Sequence, residues 1–217
     1  MKHTNTRRFL ATCLTATAIA TALGGCAPLV LGGAVMGGMV ATDRRTSGAQ
    51  LDDEGIELRS SNRLRDVLGE RGHVNVTSYN RQVLLTGEVS NAQDRQLVEK
   101  TVSGVENVRS IVNELGVMDT SSLSQRSSDA LITGRVKAAM VDAQDLFANS
   151  FKVVTERGTV YLMGRVTRRE ADRATEVTRS VGSVQRVVRV FEIISDEELQ
   201  RTLPQPAAPA PATAPKS

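Results

Sequence analysis

One pattern occurs twice in this chain, and a unit that must fold twice within 217 residues has to be small. Val83-Leu84-Leu85-Thr86-Gly87-Glu88-Val89 is echoed by Val160-Tyr161-Leu162-Met163-Gly164-Arg165-Val166, a shift of 77 residues, and Val76 falls on Val153 at the same shift. After one deletion, Val105, Val108, Ile111 and Val112 fall on Val181, Val184, Val187 and Val188 at a shift of 76. Agreement over about 40 residues sets the architecture as two copies of one module.

Each copy reads alike. A helical stretch comes first, about 56–70 and 129–147, and in the second copy Ile132, Val136, Ala139, Met140, Ala143 and Phe147 recur at helical spacing. Two short β-rich runs follow, 74–78 with 83–88 and 151–155 with 160–165, joined by tight turns at Tyr79-Asn80-Arg81 and Glu156-Arg157-Gly158, so both are predicted hairpins. Gly87 and Gly164 end the second strands, where a glycine permits a bend or a close backbone approach. Capping boxes, Ser90 with Gln93 and Thr167 with Glu170, predict the start of a second helix. Its apolar positions, Leu97, Val98, Val102 and Val105, then Ala174, Val177 and Val181, can cover a sheet. A third strand closes each unit at 108–115 and 184–194. A strand-helix-strand connection of this length makes strands two and three parallel. The fold class is α+β: two tandem α-β-β-α-β modules, each a three-stranded mixed sheet with two helices.

The N-terminus is of another kind. Lys2, Arg7 and Arg8 precede an apolar stretch from Phe9 to Leu23, and small residues lead to a cysteine, which is the layout of a secretory signal peptide. The stretch is short for a membrane span and is diluted by Thr12, Thr15, Thr17 and Thr21. Leu23-Gly24-Gly25-Cys26 resembles the lipobox of bacterial lipoproteins, in which the cysteine is acylated and becomes the first residue of the mature chain; the alternative is an ordinary signal peptide with a stray cysteine. Acyl chains on Cys26 would hold firmly, since two membrane signals suffice for stable anchoring. Ala27 in place of Asp implies, by the sorting rule of such lipoproteins, passage to the outer membrane. Residues 27–41 are apolar and glycine-rich, suited either to lying near the lipid surface or to packing on the first module.

These signals divide the chain into a signal peptide (1–25), a lipidated apolar, Gly-rich linker (26–50), a first module (51–118), a polar linker (119–128), a second module (129–195) and a Pro/Ala-rich tail (196–217). The tail's last part, 204–217, reads as extended and unpacked. Three of the 27 basic residues lie in the acid-free segment 1–25, leaving 24 against 24 acids. Residues 51–119 carry 8 basic and 12 acidic residues while 129–194 carry 11 and 8, so affinity for an anionic surface belongs to the second module.

Enzymatic chemistry has little to draw on. The only histidine after the signal segment is His73, read as exposed in a turn before a strand, and the only cysteine is Cys26, so neither a Cys/His pair nor a common zinc site can be assembled. Asp52-Asp53-Glu54 lacks the pattern of a calcium loop and reads as a solvated helix start. No Gly-rich phosphate loop follows a strand. With 3% aromatic residues and no Trp there is little to stack on bases. The expectation is a binding protein without catalysis, cofactor, metal or nucleic-acid partner.

The V-x-L-x-G-x-V hairpin end (Val83, Leu85, Gly87, Val89; Val160, Leu162, Gly164, Val166) and Gly104-Val105-Glu106-Asn107-Val108 resemble the BON domain. In the second copy, Val181-Gly182-Ser183-Val184 has its glycine displaced by one. The whole chain is similar to the dual-BON outer-membrane lipoprotein family associated with division and outer-membrane stress, through Ala41-Thr42-Asp43-Arg44, Asn75-Val76-Thr77-Ser78-Tyr79 and Lys152-Val153-Val154-Thr155-Glu156-Arg157-Gly158. That resemblance implies a periplasm-facing, lipid-anchored outer-membrane protein that binds anionic phospholipid, such as phosphatidylglycerol or cardiolipin, through the first helix of its second module. It also implies a role in envelope integrity and recruitment to division sites.

The residues can be weighed against that implication. If Ile132, Val136 and Met140 are core, Leu131 is left as an apolar wedge beside Arg135, with Lys137 at the rim. The expected lipid-binding set is Leu131, Ile132, Arg135, Val136 and Lys137. Taken alone, the residues favour Leu131 packing on the linker and solvated cations; the family resemblance reverses that order. On the second helix of that module, Arg168, Arg169, Arg173 and Arg179 interleave with Glu170, Asp172 and Glu176, and the pattern reads as an internally paired face. A different class also remains: an adaptor binding outer-membrane assembly or peptidoglycan-remodelling proteins.

Overall fold

The computed structural model describes residues 43–202. The signal peptide, Cys26, the apolar segment 27–41 and the tail 204–217 lie outside the described residues.

The first module is α1 (Ser47–Leu68), β1 (Gly72–Tyr79), β2 (Gln82–Val89), α2 (Ala92–Ser103), β3 (Ser110–Asn113) and a two-residue β4 (Gly116–Val117). The second is α3 (Leu123–Asp142), a 3-10 turn (Ala148–Ser150), β5 (Lys152–Glu156), β6 (Thr159–Val166), α4 (Arg168–Ser180) and β7 (Arg186–Ile193), followed by α5 (Asp196–Thr202). In both sheets the central strand pairs antiparallel with the first strand and parallel with the last, as the connection lengths require.

The two-residue hairpin turns hold Asn80 and Arg81 at φ 51° and 65°, and Arg157 and Gly158 at 48° and 70°, left-handed values that match the twist of the flanking strands. Gly87, inside β2 rather than at its end, has φ 107°, and a Cβ there would sit 2.0 Å from the His73 carbonyl oxygen. In β6, a Cβ at Gly164 would meet the Ser150 carbonyl oxygen at 2.6 Å. Both glycines are therefore close-approach positions between backbones.

Several boundaries differ from the sequence expectation. α1 begins at Ser47 because the Thr46 hydroxyl accepts from the Ala49 N–H, and so it takes in residues read as linker. α3 begins at Leu123, behind a Ser122–Gln125 capping box, so most of the expected polar linker is helix. It ends at Asp142, and Phe147 drops out of helical register onto the surface. α2 is capped by Asn91, which accepts from Asp94 N–H at 2.8 Å, while the Ser90 hydroxyl donates to the Arg71 carbonyl instead. The Thr167–Glu170 box of α4 forms as read. The third strand of the first module breaks at Glu114-Leu115, where Leu115 turns into the core. The first residues of the expected tail, 196–202, form α5.

Strand alternation gives each sheet two faces. One face of the first sheet packs Val83, Leu85 and Val89 against Ile56, Leu64, Val98 and Val102 of its helices. The equivalent face of the second packs Val160, Leu162 and Val166 against Ile132, Val136, Met140, Ala171 and Ala174. The remaining faces meet each other: Tyr79 and Leu84 cluster with Tyr161, Met163 and Val190, flanked by Val112, Val154 and Val188. Ion pairs ring this third core, among them Lys152–Glu57 at 2.6 Å and Arg109–Glu192 at 3.0 Å. At one edge the buried Glu88 accepts from Arg157 Nε at 2.5 Å and from Ser121. The result is a four-layer helix–sheet–sheet–helix stack within one compact unit, which puts the two helical layers on opposite outer sides.

Candidate functional site

α3 bears apolar residues on both of its sides. Ile132, Val136 and Met140 enter the core of the second module, 4%, 0% and 1% exposed. At 100° per residue the opposite side carries Leu123, Leu131 and Val141, which are 80%, 64% and 68% exposed, with Ala130, Gly134 and Ala138 between them. An amphipathic surface helix would have charged residues there. The stripe covers about 27 Å at 1.5 Å per residue. Arg135 and Lys137 are exposed on its flanks and have no carboxylate partner among the described residues, and Asp142 at the C-terminal end is the nearby acid. Past the helix, Phe147 is 56% exposed.

Of the five expected binding residues, Leu131, Arg135 and Lys137 therefore share the accessible side of α3. Ile132 and Val136 do not: they are core residues, beyond reach of an external surface while the module is folded, and their burial holds the helix with Leu131 outward.

A buried acid ties the same helix to its hairpin. Asp129 Oδ2 accepts from Arg157 N–H and Oδ1 from Gly158 N–H, both at 2.8 Å. In the first module, Asp53 Oδ2 accepts from Asn80 N–H, and its Oδ1 from Arg81 N–H and the Ser78 hydroxyl, at 2.7, 2.7 and 2.6 Å. Asp53 is thus an interior anchor for a turn, not part of a solvated acidic run. His73, read as exposed, is half-buried in β1, and its pKa is lowered by burial and by the nearby Arg126.

The segment leading in from the N-terminus is fastened to the second module. Arg44, itself buried, donates to Glu170 Oε2 and Oε1 at 2.8 and 2.6 Å and to the Arg165 carbonyl at 3.0 Å, and Arg165 donates back to the Arg44 carbonyl. Arg45 lies 4.5 Å over the Tyr79 ring and pairs with Asp43 and Asp53. Burial and the neighbouring Asp43 carboxylate push the Tyr79 hydroxyl up to about 12. Nothing in the spacing of residues 43–46 announced this contact, whose partners are some 120 residues apart in sequence.

On α4 one expected pair forms within the helix, Arg173 with Glu176 at 3.0 Å, while Glu170 and Asp172 are engaged elsewhere. Glu170 holds Arg44, Asp172 holds Arg189 at 2.7 Å, and Glu176 and Asp145 share Arg173. Arg168, Arg169 and Arg179 are exposed and make no ion pair among the described residues.

Among the described residues no helix is long and apolar enough to cross a membrane, and no three His, Cys, Asp or Glu side chains gather in a metal-binding group. The class that the described residues define is a protein of two tandem α-β-β-α-β modules, each a mixed sheet covered by two helices. The chain belongs to the BON domain family, whose model matches residues 52–119 and 128–195. It is 37% identical over 174 residues to a protein of Haemophilus influenzae named outer membrane lipoprotein DolP, covering 79% of this chain and 90% of that one. It is also 34% identical over 154 residues to a protein of Actinobacillus pleuropneumoniae named 21 kDa hemolysin, covering 70% of this chain and 79% of the relative. Among solved structures, the C-terminal domain of CdsD, a structural protein of the type III secretion system of Chlamydia trachomatis, matches 64% of this chain and 96% of its own at 11% identity and a TM-score of 0.28.

Proposed function

We propose that this chain is an outer-membrane lipoprotein, anchored at Cys26 and facing the periplasm, whose second module binds anionic phospholipid through the outer face of α3 and supports envelope integrity at division sites. The anchor and location draw support from the lipobox and from the similarity to an outer membrane lipoprotein; the division-site role rests on the family resemblance alone.

The observation that carries lipid binding is the solvent-facing stripe of Leu123, Leu131 and Val141 with Arg135 and Lys137 beside it. An apolar helix side can sink about 5–10 Å into the boundary between head groups and acyl chains. Each flanking cation adds about 1 kcal/mol at an anionic leaflet. Ile132 and Val136 act from the core by keeping Leu131 turned outward.

The test is sedimentation of the mature chain carrying Cys26→Ser, so that no acyl group contributes. Pelleting with phosphatidylglycerol or cardiolipin vesicles but not neutral ones, weakened by salt and by Leu131→Glu, is the expected result. Unchanged pelleting of Leu131→Glu would overturn the assignment of α3.

A second reading, an adaptor for envelope proteins, has one observation in its favour. Leu51 and Leu58 of α1, seven residues apart, are 69% and 64% exposed on the helical layer opposite α3, where a membrane-docked molecule would meet proteins. A mature Cys26→Ser chain that stays in the supernatant with every vesicle would put this reading first.

A further inference from the structure

We propose that the lipid contact spans two helices, with Arg168 and Arg169 of α4 forming a second, electrostatic foothold for the same anionic bilayer that α3 meets. This inference rests on the lipid-binding reading of α3.

Three observations carry it. The first is the imbalance of free charge on the outer layer of the second module. Arg135, Lys137, Arg168, Arg169 and Arg179 are exposed without carboxylate partners among the described residues, whereas of the acids of that layer Asp145, Asp172 and Glu176 are already in ion pairs, leaving Asp142. Across the groove from Arg168 and Arg169, Asp196 and Glu197 make no ion pair with either arginine.

The second is position. Arg168 and Arg169 are the first two residues of α4, where the helix dipole disfavours cations, and Glu170, the acid of that first turn, is engaged by Arg44. Residues placed where they weaken their own helix need another reason to be there, and an external anion supplies one.

The third is continuity with the tether. Arg44 binds Glu170, one residue beyond Arg169, so the chain coming from Cys26 arrives at the same end of α4. α3 packs beside α4, and Asp145, just past the end of α3, reaches Arg173 of α4 at 2.9 Å. α3 and α4 therefore lie side by side in the outer layer and run antiparallel, the Val141 end of the stripe lying toward the first turns of α4 and the Leu123 end toward the β5–β6 turn, and an anionic lipid surface laid on that layer meets both helices.

The experiment compares the mature Cys26→Ser chain with its Arg168→Gln/Arg169→Gln and Leu131→Glu variants on phosphatidylglycerol and neutral vesicles, across a salt series. At about five-fold per cation, the double variant should bind anionic vesicles about 25-fold more weakly and with a shallower salt dependence. It should melt no lower than the parent, because two cations leave a helix N-terminus, so lost binding cannot be blamed on unfolding. Double-variant affinity within two-fold of the parent, with Leu131→Glu impaired, would overturn this inference and leave α3 standing, the arginines then serving some other anion. Absence of anionic-vesicle binding by the parent would overturn both.

Discussion

Arg44 and Glu170, 126 residues apart in sequence, form a buried two-pronged ion pair, with N–O distances of 2.8 and 2.6 Å and both side chains about 95% shielded from water. Glu170 also closes the cap of α4 by accepting from the Thr167 N–H at 2.9 Å. Removing Arg44 leaves a buried carboxylate with only its cap partners. Arg44→Ala should therefore destabilise the fold by about 3 kcal/mol, read as a lowered urea midpoint at unchanged m-value. Glu170→Gln keeps a side chain that can cap and should cost less.

The same pair sets a pH dependence. Burial alone would raise the Glu170 pKa, but the hydrogen bonds from Arg44 and Thr167 outweigh it and hold the carboxyl below its ordinary range. A folded-state pKa below the unfolded one contributes stability that is complete above the ordinary carboxylate range and is lost as pH falls through the folded value. The stability gap between the parent and Glu170→Gln should be constant from pH 6 to 8 and close below about pH 4. A gap that persists unchanged in acid would mean that the interaction is not ionic.

Asp129 satisfies two backbone donors of the β5–β6 turn while lying in α3. Asp129→Ala leaves both N–H groups without their acceptor. A loss of about 2 to 3 kcal/mol is expected in a denaturant titration. Asp129→Asn, which keeps one acceptor oxygen, should lose less.

Glycines in the second module should respond in opposite directions. Gly134, on the open side of α3, has no heavy atom within 4 Å of where a Cβ would stand, so Gly134→Ala should gain about 1 kcal/mol. Gly164→Ala must push a Cβ into the Ser150 carbonyl and should lose about 2 kcal/mol. Thermal melts of the two variants beside the parent check both signs.

Much of the module could be read from the residues because its signals are local. Alternating valines around Gly87 and Gly164, the turn residues at 80–81 and 157–158 and the Thr167–Glu170 box each specify an element within a few positions, and the repeat doubled their weight. Helix starts were misread where caps were overlooked: Thr46 and Ser122 lie in stretches whose polarity resembles linker. His73 and Asp53 were misjudged for another reason, since polar residues reveal nothing of their burial until their partners are known.

What the sequence by itself determined was the α-β-β-α-β module, its duplication, and an N-terminal pattern fit for export and acylation, all set by spacing over a few turns or strands. Tertiary structure decided which surface was left over. Leu84, Tyr161 and Met163 have the same alternation as any strand residue, and only the meeting of the two sheets hides them and sends α1 and α3 to opposite outer sides. Helical spacing grouped Ile132, Val136 and Met140 apart from Leu131, but α3 is apolar on two opposite sides, and packing decided that the first set is core and Leu131 stays outside. The pairing of Glu170 with Arg44 and of Asp172 with Arg189, which leaves Arg168 and Arg169 without an ion pair among the described residues, depends on distances in space that no spacing along the chain encodes.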